Sequence, residues 1–353
     1  MAVKVSRLRV VVSVSLWLVV MSGITAFYFW TWLHRDHGID EANRYFVIEK
    51  GESLYSVGQR LHEQHMLRWP RVWRLYSRLV QPGSVKVGEY NFAERESPVS
   101  MLRRLQSGAV ITYSVTLVEG KTFAEWVQML SLQPKLQVTL GGRPLEEQLA
   151  LLDLGLDHPE GWFYPDTYRF VAGDSDVGLL RRAHQLMRQA LEREWSTRAP
   201  DLPYASPYEA LIMASIIEKE TGLASERGDI AGVFVRRLRA GMRLQTDPTV
   251  IYGLGSDFSG NLTRAHLRTA SPYNTYVISG LPPTPIAMPG GAAVHAAMHP
   301  ADGTTLYFVA KGDGSHHFSS TLEEHNRAVH QYQRSNRRSD YRSSPSVNSG
   351  AAP

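Results

Sequence analysis

The chain has 353 residues, 43% of them hydrophobic and 20% charged, with 38 Lys and Arg against 34 Asp and Glu. That length accommodates two or three globular units, and the absence of cysteine excludes disulfides and thiol chemistry. The net charge of +4 comes from arginines scattered along the chain, not from a basic run interleaved with aromatics, which argues against nucleic acid as a partner.

Val10–Leu33 carries no charged residue, enough helix to cross a hydrocarbon core. Aromatics gather at its far end, Phe27-Tyr28-Phe29-Trp30-Thr31-Trp32, as an interfacial belt would. Lys4, Arg7 and Arg9 precede the run and only Arg35 closely follows. The positive-inside bias therefore places residues 1–9 in the cytoplasm, residues 10–33 across the membrane as a single-pass type II anchor, and the rest outside. A cleaved signal peptide would have a shorter apolar run and a small-x-small site.

The next expected unit covers residues 44–109. Tyr45-Phe46-Val47-Ile48 has the pattern of a strand, Gly51 of a turn, and Ser53 of the cap to a helix bearing Leu54, Val57 and Leu61. This strand, Gly-x-Ser turn and amphipathic helix resemble the opening half of a LysM glycan-binding module. A Trp/Tyr-rich helix over 70–80, a strand over 85–92 and a helix capped by Ser97-Pro98 complete the unit. A β-rich run over 110–118 then opens a larger mixed unit that extends to residue 333, and related punctuation recurs at Gly120, Thr122, Phe123 and Trp126. Residues 334–353, rich in Ser, Arg and Asn, have the composition of a disordered tail.

Within the larger unit, Gly161-Trp162-Phe163-Tyr164-Pro165-Asp166-Thr167-Tyr168 is too aromatic and too broken by proline for a core helix. It suits a sugar-stacking loop, with Tyr164 and Asp166 as candidate substrate contacts. Residues 177–194 form a long amphipathic helix. The central stretch is Ser206–Gly222, SPYEALIMASIIEKETG. Ser206 with Glu209 has the spacing of a capping box, Pro207 fits the first helical position, and Thr221-Gly222 ends the helix. Ala210 to Ile217 leave almost no polar face, so this helix is expected to run through a core.

Glu218 emerges in the last turn on a narrow face, following Ala210, Leu211, Ala214 and Ser215, whereas Glu220 follows the bulkier Met213, Ile216 and Ile217. Desolvation and the negative end of the helix dipole both disfavour a charged carboxylate there, so the pKa of Glu218 is expected to rise, as a general acid requires. A helix over 229–240 should point Val233, Phe234, Val235 and Leu238 inward and Arg236, Arg237 and Arg239 outward. The polar, proline-punctuated segments Leu244–Thr249, Ser271–Tyr276 and Gly280–Pro285 suit a preformed polar binding surface. Gln245, Tyr273 and Asn274 are candidate substrate hydrogen-bonding groups; Asp247, beside Pro248, is a further candidate that also suits bracing its turn. Residues 305–310 and 316–318 read as a hairpin. His295 and His299 stand at i and i+4 but lack the glutamate of a zinc protease between them, so no metal is expected. No Gly-x-Ser-x-Gly elbow supports a serine nucleophile.

In this order, Glu160–Tyr168, Ile216–Thr221, Leu244–Thr249, Ser271–Tyr276 and Gly280–Ile286 resemble the endolytic murein transglycosylase (YceG-like) family over about three hundred residues of the chain. The family's catalytic glutamate maps onto Glu218. The resemblance implies an α+β enzyme: an N-terminal transmembrane helix, a LysM-like membrane-proximal α/β unit and a mixed α+β YceG-like catalytic domain. It implies a lyase of the bacterial inner membrane that cuts nascent peptidoglycan between N-acetylmuramic acid and N-acetylglucosamine, in the periplasm. The product would end in 1,6-anhydro-N-acetylmuramic acid, limiting strand length beside peptidoglycan synthases, the penicillin-binding proteins. No cofactor is expected. Two rival functions remain: a hydrolytic muramidase using Glu218 with Asp247 activating water, and a non-catalytic membrane-tethered glycan-binding scaffold.

Overall fold

The computed structural model describes residues 2–335, with side chains from residue 9 onward. The architecture is mixed α+β, with short two-stranded sheets among many helices, and it divides into two compact units. The tail expected to be disordered lies outside the described residues from 336 onward. Arg334 and Ser335 belong to a π-turn over His330–Ser335.

The first unit comprises Met1–Tyr113 with Lys135–Gln137 and Arg169–Asp174. In chain order it contains α1 (Ala2–His34), β1 (His37–Gly38), β2 (Tyr45–Ile48), α2 (Leu54–Glu63), α3 (Pro70–Leu79), β3 (Gly88–Asn91), β4 (Arg95–Glu96) and α4 (Pro98–Ser107). Arg9–His34 is long and apolar enough to cross a bilayer, and its apolar window is unburied. The last turn of α1 behaves differently: Trp32 and Leu33 enter the core formed by Phe46, Ile48, Val57, Leu61, Trp73 and Leu102. The aromatic belt is also partly engaged, since Phe29 packs edge-on against Trp69 and Trp30 against Tyr76. β2 pairs antiparallel with β3, placing Phe46 opposite Tyr90. Ser53 and Ser56 exchange side-chain and backbone hydrogen bonds in a capping box that starts α2. The buried Trp73 indole N–H donates to the Pro98 carbonyl at 2.8 Å, joining α3 to α4.

The second unit comprises Ser114–Pro134, Val138–Tyr168 and Ser175–Pro353. β5 (Thr112–Thr116), which enters this unit at Ser114, leads to α5 (Phe123–Ser131) and α6 (Leu145–Leu152); of β6 (Thr167–Val171) this unit holds Thr167 and Tyr168. There follow α7 (Asp176–Ser196), α8 (Pro207–Glu220), α9 (Arg227–Arg239), α10 (Asp247–Leu254), α11 (Gly291–Met298), β7 (Tyr307–Ala310), β8 (His316–Ser319) and α12 (Leu322–Val329). β7 and β8 pair antiparallel, Val309 opposite His317.

α8 is the central rod of this unit. Every residue from Ala210 to Ile217 is buried, and α7, α9, α10 and α11 all pack on it. Such enclosure requires a helix apolar on all sides. At its start Ser206 Oγ accepts the Glu209 N–H, while the Glu209 carboxylate accepts the N–H of Ala205, one residue outside the expected box. The exposed position expected for Arg237 is not observed. Arg237 is buried, and its guanidinium donates to the carbonyls of Leu306 and Leu244 at 2.6 and 2.7 Å. Its neighbour Arg236 likewise donates to the carbonyls of Thr305 and Ala301. Arginines on an outer helix face have the reach to satisfy carbonyls of chain that crosses over them.

Candidate active site

The last turn of α8 sends its two glutamates in different directions, as positions two apart on a helix must go. Glu218 Oε2 accepts the Gly290 N–H at 3.0 Å, and Glu218 Oε1 lies 3.5 Å from Arg227 Nη2. The same Nη2 lies 3.7 Å from Glu119 Oε1. One guanidinium therefore faces two carboxylates. The Glu218 side chain is only 5% exposed. Burial pushes its pKa above the ordinary carboxylate value; the nearby Glu119 charge acts in the same direction, while the Gly290 N–H and Arg227 oppose it.

Two loops bring Glu119 and Gly290 to this point. Gly120 N–H donates to the Met288 carbonyl and Met288 N–H to the Lys121 carbonyl, both at 2.8 Å, stitching the segment after β5 to the segment before α11. Lys219, next to Glu218 on α8, donates to the Gly120 carbonyl at 3.1 Å. One turn earlier on α8, Ser215 Oγ accepts the Ile286 N–H at 3.0 Å and fixes the Gly280–Pro285 segment. Gly290 is required by close approach. Its φ of −73° suits any residue, but a Cβ there would collide with Glu119 Oε2 and stand 3.4 Å from Glu218 Oε2.

Among the sequence-predicted contacts, Tyr164 reaches the same neighbourhood: its hydroxyl lies over Gly291, where a Cβ would clash. The remaining candidates belong elsewhere. Glu220 accepts a hydrogen bond from the Thr246 hydroxyl, and burial of its carboxyl pushes its pKa up to about 7. Around Thr246 the two polar segments interlock: Gln245 N–H donates to the Thr275 carbonyl at 3.2 Å and Thr246 N–H to Thr275 Oγ1 at 3.0 Å. Gln245 is exposed and in the left-handed region, φ 53°, a strained state for a side-chain-bearing residue. Asp247 opens α10 and accepts the Tyr276 hydroxyl at 2.6 Å, so it braces a helix start where the sequence suggested a loop. Tyr273 bonds Thr284 Oγ1 at 2.8 Å and lies edge-on to Tyr252.

Asn274 departs most clearly from expectation. It is buried, its amide donates to the carbonyls of His266 and Thr269, and its Oδ1 accepts the Tyr276 N–H. The side chain folds its own loop and offers no free donor to a substrate. Asp166 similarly serves local structure, its Oδ1 accepting the Thr167 N–H at 2.6 Å. The aromatic loop is largely packing: Trp162 stacks on Tyr208 and Phe163 on Phe123.

Sequence reasoning missed Glu119, Arg227 and Gly290. Glu119 had one local signal, an acid immediately before a glycine turn at a strand end; Arg227 had none. It also missed Glu160, a buried acid whose carboxylate accepts the Phe123 N–H with both oxygens, at 3.1 and 3.2 Å. Burial pushes Glu160 up to about 7.

Residues 46–331 match the profile of the YceG-like family. The chain belongs to the YceG-like family. This YceG-like chain is 28% identical over 302 residues to the endolytic murein transglycosylase of Bacillus subtilis, covering 81% of the chain and 83% of that protein. It is 26% identical over 329 residues to the endolytic murein transglycosylase of Streptococcus pneumoniae, covering 82% of the chain and 59% of that longer protein. A crystal structure of a YceG-like protein from Listeria monocytogenes is 29% identical and covers 80% of the chain and 98% of that one, with a TM-score of 0.49.

Proposed function

We propose that this chain is an endolytic peptidoglycan lytic transglycosylase, cutting glycan strands between N-acetylmuramic acid and N-acetylglucosamine. Membership of the YceG-like family and the names of its relatives support the substrate. The observation that carries the chemistry is the buried carboxyl of Glu218, whose pKa is raised by desolvation and a neighbouring acid, with a single guanidinium beside it.

In this mechanism protonated Glu218 donates to the glycosidic oxygen as an oxocarbenium-like centre develops at C1 of the muramic acid. The leaving N-acetylglucosamine takes that proton. The Glu218 carboxylate, steadied by Arg227 and the Gly290 N–H, then removes the proton of the same sugar's C6 hydroxyl, whose oxygen closes on C1. The 1,6-anhydro ring forms and Glu218 is again protonated. The nucleophile is intramolecular, so no activated water is needed. Asp247 is a weak candidate to activate one: it accepts a hydrogen bond from Tyr276 and lies near Glu220, on a different face of α8 from Glu218. Glu119 is the carboxylate that a hydrolytic reading would need instead, and product mass separates the two. Anhydro ends lack the water that hydrolysis adds. Purified glycan strands digested with the wild type should yield anhydro ends, and Glu218→Gln should yield no cleavage while remaining folded; hydrated ends, or an active Glu218→Gln, would overturn the assignment.

The wider setting belongs to the same proposal. Residues 1–9 lie in the cytoplasm, 10–33 anchor the chain in the inner membrane, and 44–109 form a LysM-like unit that contacts glycan. Residues 110–333 form the catalytic domain in the periplasm, acting beside penicillin-binding proteins. The strand–helix–helix–strand order of β2, α2, α3 and β3 supports the LysM-like reading.

A further inference from the structure

Away from Glu218, the C-terminal ends of α7 and α11 bring three potential metal ligands together. His295 Nδ1 is 2.8 Å and His299 Nε2 3.5 Å from the same Glu194 Oε2. All three ligand atoms lie within 4.8 Å of one another. The two imidazoles are stacked, centroids 4.3 Å apart and planes 24° from parallel. His299 Nε2 is shut off from solvent yet makes no hydrogen bond. A buried ring nitrogen without a partner is costly, and here it points at a carboxylate that already serves a second imidazole. The other Glu194 oxygen lies 3.6 Å from Arg193 Nε, the kind of outer contact that orients a ligating carboxylate.

The histidine spacing carried no metal prediction because the third ligand was absent from the sequence around it. That ligand comes from α7, about a hundred positions earlier in the chain. Tetrahedral zinc with ligand bonds of about 2.0–2.1 Å separates its ligand atoms by about 3.3 Å, between the two distances observed. Two imidazoles and one carboxylate form a donor set suited to zinc, leaving a fourth position for water beside the exposed His295.

We propose that Glu194, His295 and His299 bind one zinc-class divalent cation that clamps α7 to α11. The clamp closes on the far end of α11, whose N-cap residue Gly290 supplies its N–H to Glu218, one helix length of about 12 Å away. The cation supplies rigidity and takes no part in bond cleavage, so the proposal stands apart from the catalytic one.

The test uses the full-length chain in detergent, stripped with a chelator and then titrated with zinc chloride by calorimetry. Cobalt chloride serves as a parallel optical reporter of tetrahedral coordination. One equivalent of zinc should bind and raise the melting temperature, and cobalt should give strong visible d–d absorption. His295→Ala and, separately, Glu194→Gln should weaken zinc binding by about 100-fold or more and remove the thermal shift. His295 is 60% exposed, so its truncation leaves the core intact, and unchanged melting of the metal-free variant verifies that. Zinc that binds the variants as tightly as the wild type, or a wild type that takes up no stoichiometric zinc, would reduce the cluster to a histidine–carboxylate ion pair and overturn the proposal.

Discussion

Arg227 presents one guanidinium to Glu119 and Glu218, and its positive charge opposes the rise in the Glu218 pKa that burial and Glu119 cause. Removing the cation should push Glu218 further upward. Arg227→Met is therefore expected to move the basic limb of the pH–rate profile to higher pH. It should also lower kcat by about 100-fold, because the carboxylate that forms mid-reaction loses its counter-charge; a limb that moves downward would exclude this role. Gly290→Ala tests close approach in isolation, since its backbone angles suit alanine. The added methyl should displace the two carboxylates and lower kcat by about 100-fold, with the melting temperature nearly unchanged. A variant of normal activity would show that the carboxylates can yield. At this scale the burial of the Glu218 carboxyl was legible because helical spacing placed an acid at the end of an apolar rod. Asn274 was misread because a polar residue in a proline-rich loop looks the same whether it faces substrate or its own backbone.

The elements were legible wherever a cap and a period agreed. α8 has Ser206 at its cap, Pro207 behind it and, but for Ser215, apolar residues from Ala210 to Ile217, and α2 and α4 begin at Ser53 and Ser97 as their sequences indicate. The start of α10 was hidden because Thr246-Asp247-Pro248 serves a turn and a helix start equally well. Arg237 was placed outside because helical phase says nothing of a later strand crossing over the helix. The cap of α8 supports a direct test. Ser206→Ala leaves the Glu209 N–H without its acceptor and should destabilise the second unit by about 1 kcal/mol in urea unfolding, with the pH–rate profile of the folded enzyme unchanged. A shifted profile would mean that the first turn of α8 reaches the chemistry at its last.

Across the whole molecule, the buried acids set a pH dependence opposite to that of a salt-bridged carboxylate. Glu160 and Glu220 are both pushed from 4.5 up to about 7, chiefly by burial. Such acids hold a proton more tightly when native, so their stabilising contribution is complete below about 4.5 and is lost as pH rises through about 7. For Glu160 the difference between these limits is roughly 3 kcal/mol. Urea unfolding of wild type and Glu160→Gln between about pH 5 and about pH 8 should show a flatter decline in the variant, and equal slopes would contradict it. A different whole-molecule consequence follows from α1, which continues from its apolar stretch directly into packed side chains at Trp32 and Leu33. With that stretch embedded as proposed, no swivel separates lipid from globule. The first unit is then a rigid cap on a rod, held at one standoff height, and any change in bilayer thickness that tips the rod must tip the cap by the same angle.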